Sequence, residues 1–181
     1  TGAVSTAIVF ETHAISEDNE AGLASGWTHG PLSAEGRDLA RVMGARRRDD
    51  GIDTVFASDL HRALETAVLA FEGLTIPILL DWRLRECDYG RLTRMPAADL
   101  HRDRAQYLDA PYPGGESWRQ AVGRVGRFLE DLPTRWDGKR VLVIGHVATR
   151  WGLDHCCKGT PLEQLVHEEF AWQEGWEYEL P

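Results

Sequence analysis

Two histidines of this chain come shortly after apolar runs that have the composition of buried strands. His13 follows the run 7–10, and His146 directly follows the run 140–145. Ligands of α/β sheets bind beyond the carboxyl ends of the strands, so both imidazoles are predicted to lie in one polar pocket. An imidazole placed there can act as a base, a metal ligand or a nucleophile.

A third apolar run, 52–57, also ends in polar residues, among them Ser58 and Arg62. For one histidine alone, a loop position without chemistry is an equally good interpretation. The repetition at several strand ends favours a shared site. Two imidazoles that act on one small group at contact distances of about 3 Å each should lie within roughly 10 Å of one another.

The histidine pair suits covalent group transfer better than metal binding. The sequence has no HExxH motif, no pair of acidic ligands at short spacing, and no cysteine at metal-ligand spacing. A neutral imidazole can attack an electrophilic phosphorus atom, while an imidazolium and an arginine balance the charge on the equatorial oxygens. A carboxylic acid can protonate the leaving oxygen. This combination predicts phosphoryl chemistry, with a metal site as the less favoured alternative.

Hydrophobic periodicity predicts the elements that position these residues. Apolar and β-branched runs predict strands at 7–10, 52–58, 76–80 and 140–145. Helical spacing predicts helices at 33–48, 62–71 and 116–132. Ser33 should cap the first helix, the cations Arg46–Arg48 should form its solvated end, Pro77 favours an edge strand, and Pro133 should end the last helix.

The segment 82–115 is charged and irregular, with one weak helix predicted near 95–103, and we interpret it as an insertion that covers the strand ends. The segment 170–180 alternates aromatic and polar residues and predicts one or two antiparallel strands at the sheet edge. The expected fold is therefore a three-layer α/β domain spanning 1–181. Its central sheet should be mostly parallel, with helices on both faces and an antiparallel edge strand.

The composition and charge of the chain limit the classes of partner and the cellular location that are expected. A formal charge of −9 and a pI near 5.2 argue against nucleic acid or a membrane surface, and favour a small-molecule substrate. Cys87, Cys156 and Cys157 form no CxxC pair, which suits a reducing cytoplasm. No run reaches the length of a membrane span and no signal peptide opens the chain, so a cytoplasmic location is expected. The oligomeric state is open, with a homodimer among the alternatives.

Six motifs resemble the histidine phosphatase superfamily in its phosphoglycerate-mutase-like branch, and the resemblance extends over nearly the whole chain. They are Thr12-His13-Ala14-Ile15-Ser16-Glu17-Asp18-Asn19, Gly30-Pro31-Leu32-Ser33-Ala34-Glu35-Gly36, Ala57-Ser58-Asp59-Leu60-His61-Arg62-Ala63-Leu64-Glu65-Thr66-Ala67, Leu84-Arg85-Glu86-Cys87-Asp88-Tyr89-Gly90, Pro113-Gly114-Gly115-Glu116-Ser117 and Ile144-Gly145-His146. The resemblance implies that His13 is the nucleophile, that Arg62 and His146 stabilise the transferred group, and that Glu86 is the general acid. It implies neither a metal nor an organic cofactor.

The chain departs from this family pattern at the nucleophile. The arginine expected before it is Thr12, the residue before that is Glu11, and Val147 replaces a glycine after the second histidine. Relative to the family pattern, the site is expected to lose a cation at Thr12 and to gain an acid at Glu11. A charge pair about 4 Å apart is worth about 4 kcal/mol at an effective dielectric of about 20, so a phosphate dianion should bind less well.

Arg150 follows His146 by about one helical turn and could return to the pocket. It could replace the missing guanidinium, as could Arg83 or Arg91, or it could be the structural partner of Glu11. The candidate substrate-binding residues are Glu11, Thr12, Asn19, Ser58, Val147 and Arg150.

Three functions are compatible with the sequence. The favoured one is a hydrolase that removes a phosphoryl group from a small metabolite through a phosphohistidine. The second is an enzyme of the same fold that acts on a less anionic substrate, with Glu11 or Glu86 as its base. The third is a binding or scaffold protein whose catalytic site has decayed.

Overall fold

The computed structural model describes residues 4–181 and contains a five-stranded sheet. The strands are β1 (Thr6–Thr12), β2 (Thr54–Ala57), β3 (Ile78–Leu80), β4 (Arg140–Gly145) and β5 (Trp176–Leu180). Their order is β3-β2-β4-β1-β5, and only β5 is antiparallel to its neighbour. The mostly parallel sheet with one antiparallel edge strand confirms the predicted α/β fold.

Eight α-helices are present in this part of the chain. They are α1 (Glu17–Ala21), α2 (Ala34–Arg47), α3 (His61–Ala70), α4 (Ala97–Asp103), α5 (Trp118–Asp131), α6 (Pro133–Trp136), α7 (Val147–Lys158) and α8 (Leu162–Leu165). Ser33 caps α2 by accepting a hydrogen bond from the amide of Gly36, as predicted. The short helices α1, α6 and α8 were not predicted, because single helical turns carry no measurable periodicity.

Side chains of the central strands alternate between two hydrophobic cores. Ile8 and Phe10 pack towards α5 and α7, whereas Val9 packs with Leu142 and Ile144 against α2 and α3. Helices therefore cover both faces of the sheet, as expected for parallel strands that are buried on both sides.

The predicted covering insertion over 82–115 consists of short elements. Two 3-10 turns, Trp82–Leu84 and Gly90–Leu92, precede α4, and a third, Arg104–Tyr107, follows it. Leu100 and Tyr112 from this insertion join a core with Trp118 and Trp151, from α5 and α7. The insertion is thus fixed to the helical layer on one side of the sheet.

The basic run at the end of α2 is not the solvated helix end that the sequence predicted. Arg47 is buried, and the guanidinium groups of Arg46 and Arg47 donate to the carboxylate of Glu11 at 2.7 Å and 3.2 Å. The run therefore has a structural role. No helix within residues 4–181 is long and apolar enough to cross a lipid bilayer.

Candidate active site

The imidazoles of His13 and His146 meet at the carboxyl ends of β1 and β4. Their ring centroids are 5.0 Å apart, which confirms the predicted proximity. The two strands run parallel, with Thr12 opposite Gly145, and the amide of His13 donates to the carbonyl of Gly145 at 3.0 Å. The pairing of two adjacent strands therefore places the imidazoles side by side.

His13 is held as a neutral imidazole. Its Nδ1 lies 2.7 Å from the carbonyl oxygen of Ala14, and because a carbonyl only accepts hydrogen bonds, Nδ1 carries the proton. Burial and the charge of Arg62 lower the pKa of His13 to about 3. At neutral pH, Nε2 consequently has a free lone pair, which is what a nucleophile needs.

His146 is 2% exposed, and neither ring nitrogen has a hydrogen-bond partner among residues 4–181. Burial, followed by the charges of Arg62 and His13, lowers its pKa well below the ordinary value. The lowered pKa favours a neutral imidazole over the expected imidazolium, since a second cation beside Arg62 would be poorly solvated. His146 offers a neutral ring with one N–H donor.

Gly145 and Thr149 position His146 at the start of α7. The hydroxyl of Thr149 accepts from the backbone amide of His146 at 2.9 Å and donates to the carbonyl of Leu84 at 2.7 Å. A Cβ at position 145 would lie 2.3 Å from that hydroxyl oxygen, so only glycine fits there. The amino end of α7 consequently faces the pocket, where its dipole favours an anion.

Arg62 is the cation whose charge lowers the pKa of both His13 and His146. It is 2% exposed, and its two terminal nitrogens each donate at 2.7 Å to backbone carbonyls, those of Thr28 and Gly26. No carboxylate within residues 4–181 forms an ion pair with it. A buried guanidinium held only by carbonyls retains its charge for an anionic ligand.

Ser58 was predicted to bind substrate, and this is wrong. The residue is fully buried, and its hydroxyl accepts from the amide of Leu60 at 3.2 Å in the turn before α3. It does not line the pocket. Its contact instead shapes the turn that leads to Arg62.

Glu86 supplies the carboxyl group of the site. Its Oε1 accepts from the backbone amides of Cys87 at 2.9 Å and Ala148 at 3.1 Å. Burial raises the pKa of Glu86, although Arg62 and both amides act in the opposite direction. A raised pKa favours the protonated form that a general acid requires.

These groups line a cavity of about 310 Å³. Thr12, Asn19 and Val147 contribute to its wall, as the sequence predicted. Much of the remaining wall is apolar, namely Ile15, Leu23, Ala24, Tyr89, Ala97, Phe170 and Trp172. The cavity is therefore larger and less polar than a phosphoryl group alone needs.

Glu11 is not part of this cavity, in contrast to the prediction. Successive strand residues point to opposite faces, so Glu11 lies on the same side of β1 as Val9, facing α2. Its carboxylate is occupied by Arg46 and Arg47. The pocket has consequently lost a cation at Thr12 but has not gained an acid.

Both sequence interpretations of Arg150 are also wrong. Its guanidinium donates to Asp154 at 2.9 Å and to Glu168 at 2.5 Å, and it lines a different cavity, of about 280 Å³. Arg83 pairs with Asp81 and Asp131, and neither Arg83 nor Arg91 lines the histidine pocket. None of these three arginines takes the place of the one missing at position 12.

Two basic residues that sequence reasoning missed do line the pocket. Arg104 and His101 come from the covering insertion. The sequence predicts one weak helix in this segment but no motif that marks Arg104 or His101 as part of a site, and their positions depend on how the insertion folds back over the sheet. Trp172, from the segment before β5, lines the same pocket.

Metal binding has no structural support in the described chain. No three His, Cys, Asp or Glu side chains within residues 4–181 converge in a way that could hold a metal ion.

Comparison with known proteins gives consistent results. A family model described as histidine phosphatase superfamily (branch 1) matches residues 8–172. A 2,3-bisphosphoglycerate-dependent phosphoglycerate mutase of Chelativorans sp. is 34% identical, with 93% of this chain and 89% of that protein covered. A second one, from Methylobacterium sp., is 37% identical over 77% of this chain and 74% of its own length.

Solved structures agree with the fold. YhfR of Bacillus stearothermophilus has a TM-score of 0.82 at 28% identity, covering 93% of this chain and 88% of its own. A structure described as a putative alpha-ribazole-5'-P phosphatase of Escherichia coli has a TM-score of 0.78 at 24% identity, covering 90% of this chain and 84% of its own, and it supports the fold alone. With the family model spanning most of the sequence and the two histidines, Arg62 and Glu86 gathered in one pocket, this chain belongs to the histidine phosphatase superfamily.

Proposed function

We propose that the protein hydrolyses a small phosphomonoester through a phosphohistidine intermediate. The observation that carries this proposal is the convergence of His13, Arg62, Glu86 and His146 on one pocket. His13 carries its proton on Nδ1, so its Nε2 has a free lone pair, and burial raises the pKa of Glu86, which favours the protonated carboxyl. A nucleophile and a general acid are thus present in the same pocket.

In the first step, Nε2 of His13 attacks phosphorus and the ester P–O bond breaks. The leaving oxygen takes the proton of Glu86, which becomes a carboxylate. Arg62, one N–H of His146 and the amino end of α7 stabilise the charge on the equatorial oxygens. The products are the free alcohol and a phosphorylated His13.

In the second step, the Glu86 carboxylate removes a proton from water as the water oxygen attacks phosphorus. The P–N bond breaks, inorganic phosphate leaves, and both His13 and Glu86 return to their starting states. Glu86 therefore acts as acid and then as base, as microscopic reversibility of a proton transfer requires.

The rival in which the fold serves a less anionic substrate loses much of its support. Its two candidate bases were Glu11, which is ion-paired outside the pocket, and Glu86, whose pKa is raised. Glu11 cannot reach a substrate in the pocket, and the raised pKa of Glu86 favours a proton donor over a base in the starting state. The absence of an arginine at Thr12 remains as the one change in pocket charge.

Hydrolysis rather than mutase activity is favoured by the composition of the wall. A mutase must hold a small, multiply charged substrate while it turns between two phosphorylated states. The apolar side chains of this wall, such as Leu23, Phe170 and Trp172, provide few charged or hydrogen-bonding partners for such a molecule.

The test is phosphate release from phenyl phosphate and a panel of metabolite phosphomonoesters, with mutase activity measured in parallel. His13→Ala should abolish turnover, whereas the control His155→Ala, at the far end of α7, should not. Rapid quenching should also trap an acid-labile phosphoenzyme that is absent from His13→Ala. Activity that survives in His13→Ala, or no turnover of any phosphomonoester, would contradict the proposal and favour the non-catalytic alternative.

A further inference from the structure

His13 lies on a short stretch of backbone that has just left the sheet. β1 ends at Thr12, the amide of His13 donates to the carbonyl of Gly145, and residues 13–15 lie between β1 and α1. The imidazole nevertheless depends on this stretch, because Nδ1 of His13 donates to the carbonyl of Ala14 at 2.7 Å. A contact that fixes the backbone at Ala14 therefore also fixes the ring of His13.

The hydroxyl of Thr66 in α3 provides such a contact. It accepts from the amide of Ala14 at 3.0 Å and donates to the carbonyl of Arg62 at 2.7 Å. The direction of both hydrogen bonds follows from the partners, because an amide only donates and a carbonyl only accepts. Thr66 is fully buried. One hydroxyl thus joins the backbone next to His13 to the backbone of Arg62.

The Thr66 hydroxyl fixes the peptide plane between His13 and Ala14. This peptide carries the Cα of His13 on one side and the Cα of Ala14 on the other. The carbonyl of Ala14 then closes a small ring by accepting from Nδ1 of His13. The orientation of the peptide therefore determines whether this carbonyl meets Nδ1, which keeps the proton there and leaves Nε2 free.

Loss of the Thr66 hydroxyl would disturb this ring locally. Among residues 4–181, the amide of Ala14 has no other acceptor, and an unsatisfied buried amide favours rotation of its peptide towards a new partner. The next residue is held independently, because the carbonyl of Ile15 accepts from the amide of Ser33 at 3.0 Å. The displacement is therefore confined to the peptide that carries His13.

We propose that Thr66 is a positioning residue that sets the tautomer and the orientation of His13. Its hydroxyl keeps the carbonyl of Ala14 in front of Nδ1, so that Nε2 faces the pocket without a proton. Thr66 does not line the pocket and acts through the backbone. The kinetic consequence rests on the proposed function, whereas the tautomer is a property of the protein without substrate.

The first experiment measures the tautomer. Thr66→Val keeps the shape of the side chain and removes the hydroxyl, whereas Thr66→Ser keeps the hydroxyl. Long-range ¹H–¹⁵N correlation spectra of the imidazoles distinguish the two tautomers, and the signals of His13 are assigned by their loss in His13→Ala. The parent and Thr66→Ser should have the proton on Nδ1 alone, and Thr66→Val should populate the Nε2-protonated form as well.

The second experiment measures phosphoryl transfer from phenyl phosphate. Thr66→Val should lower kcat/KM by about 10- to 100-fold, because a displacement of about 1 Å at a reacting group costs up to about that factor. Inhibition by inorganic phosphate should change little, because the guanidinium of Arg62 keeps its own partners, the carbonyls of Thr28 and Gly26. Thr66→Ser should recover most of kcat/KM.

Thr6→Val is the matched control. Thr6 is a fully buried threonine at the opposite end of β1, and its hydroxyl donates to the carbonyl of Trp136 at 3.1 Å. Thr6→Val should lower stability and leave both the tautomer of His13 and kcat/KM unchanged. If it changed them as Thr66→Val does, a general loss of stability would be the cause and the inference would be overturned.

The remaining outcomes separate the positioning role from the reaction. Nδ1 protonation alone in Thr66→Val would overturn the inference, whether or not kcat/KM falls, and so would a changed tautomer with the kcat/KM of the parent. If Thr66→Val does not fold, Thr66→Cys replaces it, because a thiol is a weak acceptor and should give the same mixture of tautomers. If the parent hydrolyses no phosphomonoester but the tautomer depends on the hydroxyl, Thr66 still positions His13 and only the proposed function is wrong.

Discussion

The carboxylate of Glu11 and the guanidinium of Arg46 form an ion pair at 2.7 Å on the side of β1 that faces α2. Glu11 lies only two residues before His13, yet only 2% of Glu11 is exposed and it does not line the pocket. Its charge therefore acts on the fold. Glu11, the unusual acid of the first motif, connects β1 to the end of α2 through its ion pairs with Arg46 and Arg47.

Glu11→Gln should destabilise the protein without changing its kinetics. The substitution removes the counter-charge of Arg46 and one of the two carboxylates that pair with the buried Arg47, the other being Asp50. Breaking a buried pair typically costs about 3 to 5 kcal/mol. Urea unfolding measures the loss, and kcat/KM measured below the melting temperature should remain within a small factor of the parent. A large fall in kcat/KM in a protein that is as stable as the parent would contradict this assignment.

Thr12→Arg should raise phosphatase activity. Thr12 lines the pocket beside His13, so a guanidinium there can reach the equatorial oxygens of the transferred group. One donor aimed at transition-state charge is typically worth about 10²- to 10³-fold in rate, and a gain of at least about 10-fold is expected.

Thr12→Gln is the matched control, because it adds a long side chain without charge. An equal gain in Thr12→Gln would mean that side-chain length and not charge is responsible. Replacing Glu11 by valine in addition to Thr12→Arg would not help, because it would remove the counter-charge of Arg46 and destabilise the fold.

The core of the site was predictable because one local signal repeats. His13 and His146 follow two apolar strands, β1 and β4, that are parallel neighbours in the sheet. The carboxyl ends of such strands meet at one edge of the sheet. The same signal placed Glu11 in the pocket, because the prediction did not consider that successive side chains of a strand point to opposite faces of the sheet. Alternation alone would put His13 on the Glu11 side, but β1 ends at Thr12 and the chain turns there.

The remaining part of the site was not predictable because it depends on distant segments. Arg104 is held in the pocket wall by hydrogen bonds to the carbonyls of Val166 and Glu168, some sixty residues further along the chain. Arg150 has the right helical spacing from His146 but finds a carboxylate, Asp154, one turn further along the same helix. The i, i+4 spacing of Arg150 and Asp154 is visible in the sequence, but spacing alone does not decide whether Arg150 turns to the pocket or to that carboxylate.

Glu86→Gln should affect poor leaving groups more than good ones. Protonation of the leaving oxygen contributes about 10²- to 10⁴-fold for an alkoxide, so an alkyl phosphate should lose about that much. 4-Nitrophenyl phosphate, whose leaving group needs no proton, should lose far less. Equal losses for both esters would show that Glu86 does not protonate the leaving group.

The pH dependence gives a further test of Glu86. The protonated carboxyl is the active form, so kcat/KM for an alkyl phosphate should fall as pH rises through the raised pKa of Glu86. This alkaline limb should be missing in Glu86→Gln. No acid limb from His13 is expected near pH 6.5, because its pKa is lowered to about 3.

The buried histidines should make the protein less stable in acid. The folded-state pKa of His146 lies well below its unfolded value, so below about pH 6.5 the unfolded chain binds a proton that the folded chain does not. The free energy of unfolding should fall by about 1.4 kcal/mol per pH unit from this residue alone. Urea unfolding between pH 7 and pH 5 measures the slope, and His146→Asn should have a smaller one; equal slopes would contradict the pKa assignment.

Arg150→Ala should reduce stability while leaving the chemical step intact. Arg150 is 6% exposed and pairs with Asp154, which also accepts a hydrogen bond from the hydroxyl of Tyr178 at 2.6 Å. Removing the guanidinium leaves the largely buried Asp154 carboxylate uncompensated, at a cost of about 3 kcal/mol or more. Thermal and urea unfolding measure this loss, and kcat for phenyl phosphate should stay close to that of the parent.

A second substitution, added to Arg150→Ala, identifies the carboxylate that pairs with Arg150. Adding Asp154→Asn to Arg150→Ala removes the orphaned charge and should recover part of the stability, because a neutral amide can still accept from Tyr178. Adding Glu11→Gln should recover nothing and should instead subtract its own cost, since Glu11 is bound by Arg46 and Arg47. Recovery by Glu11→Gln, or a collapse of kcat in Arg150→Ala with stability unchanged, would return Arg150 to the active site.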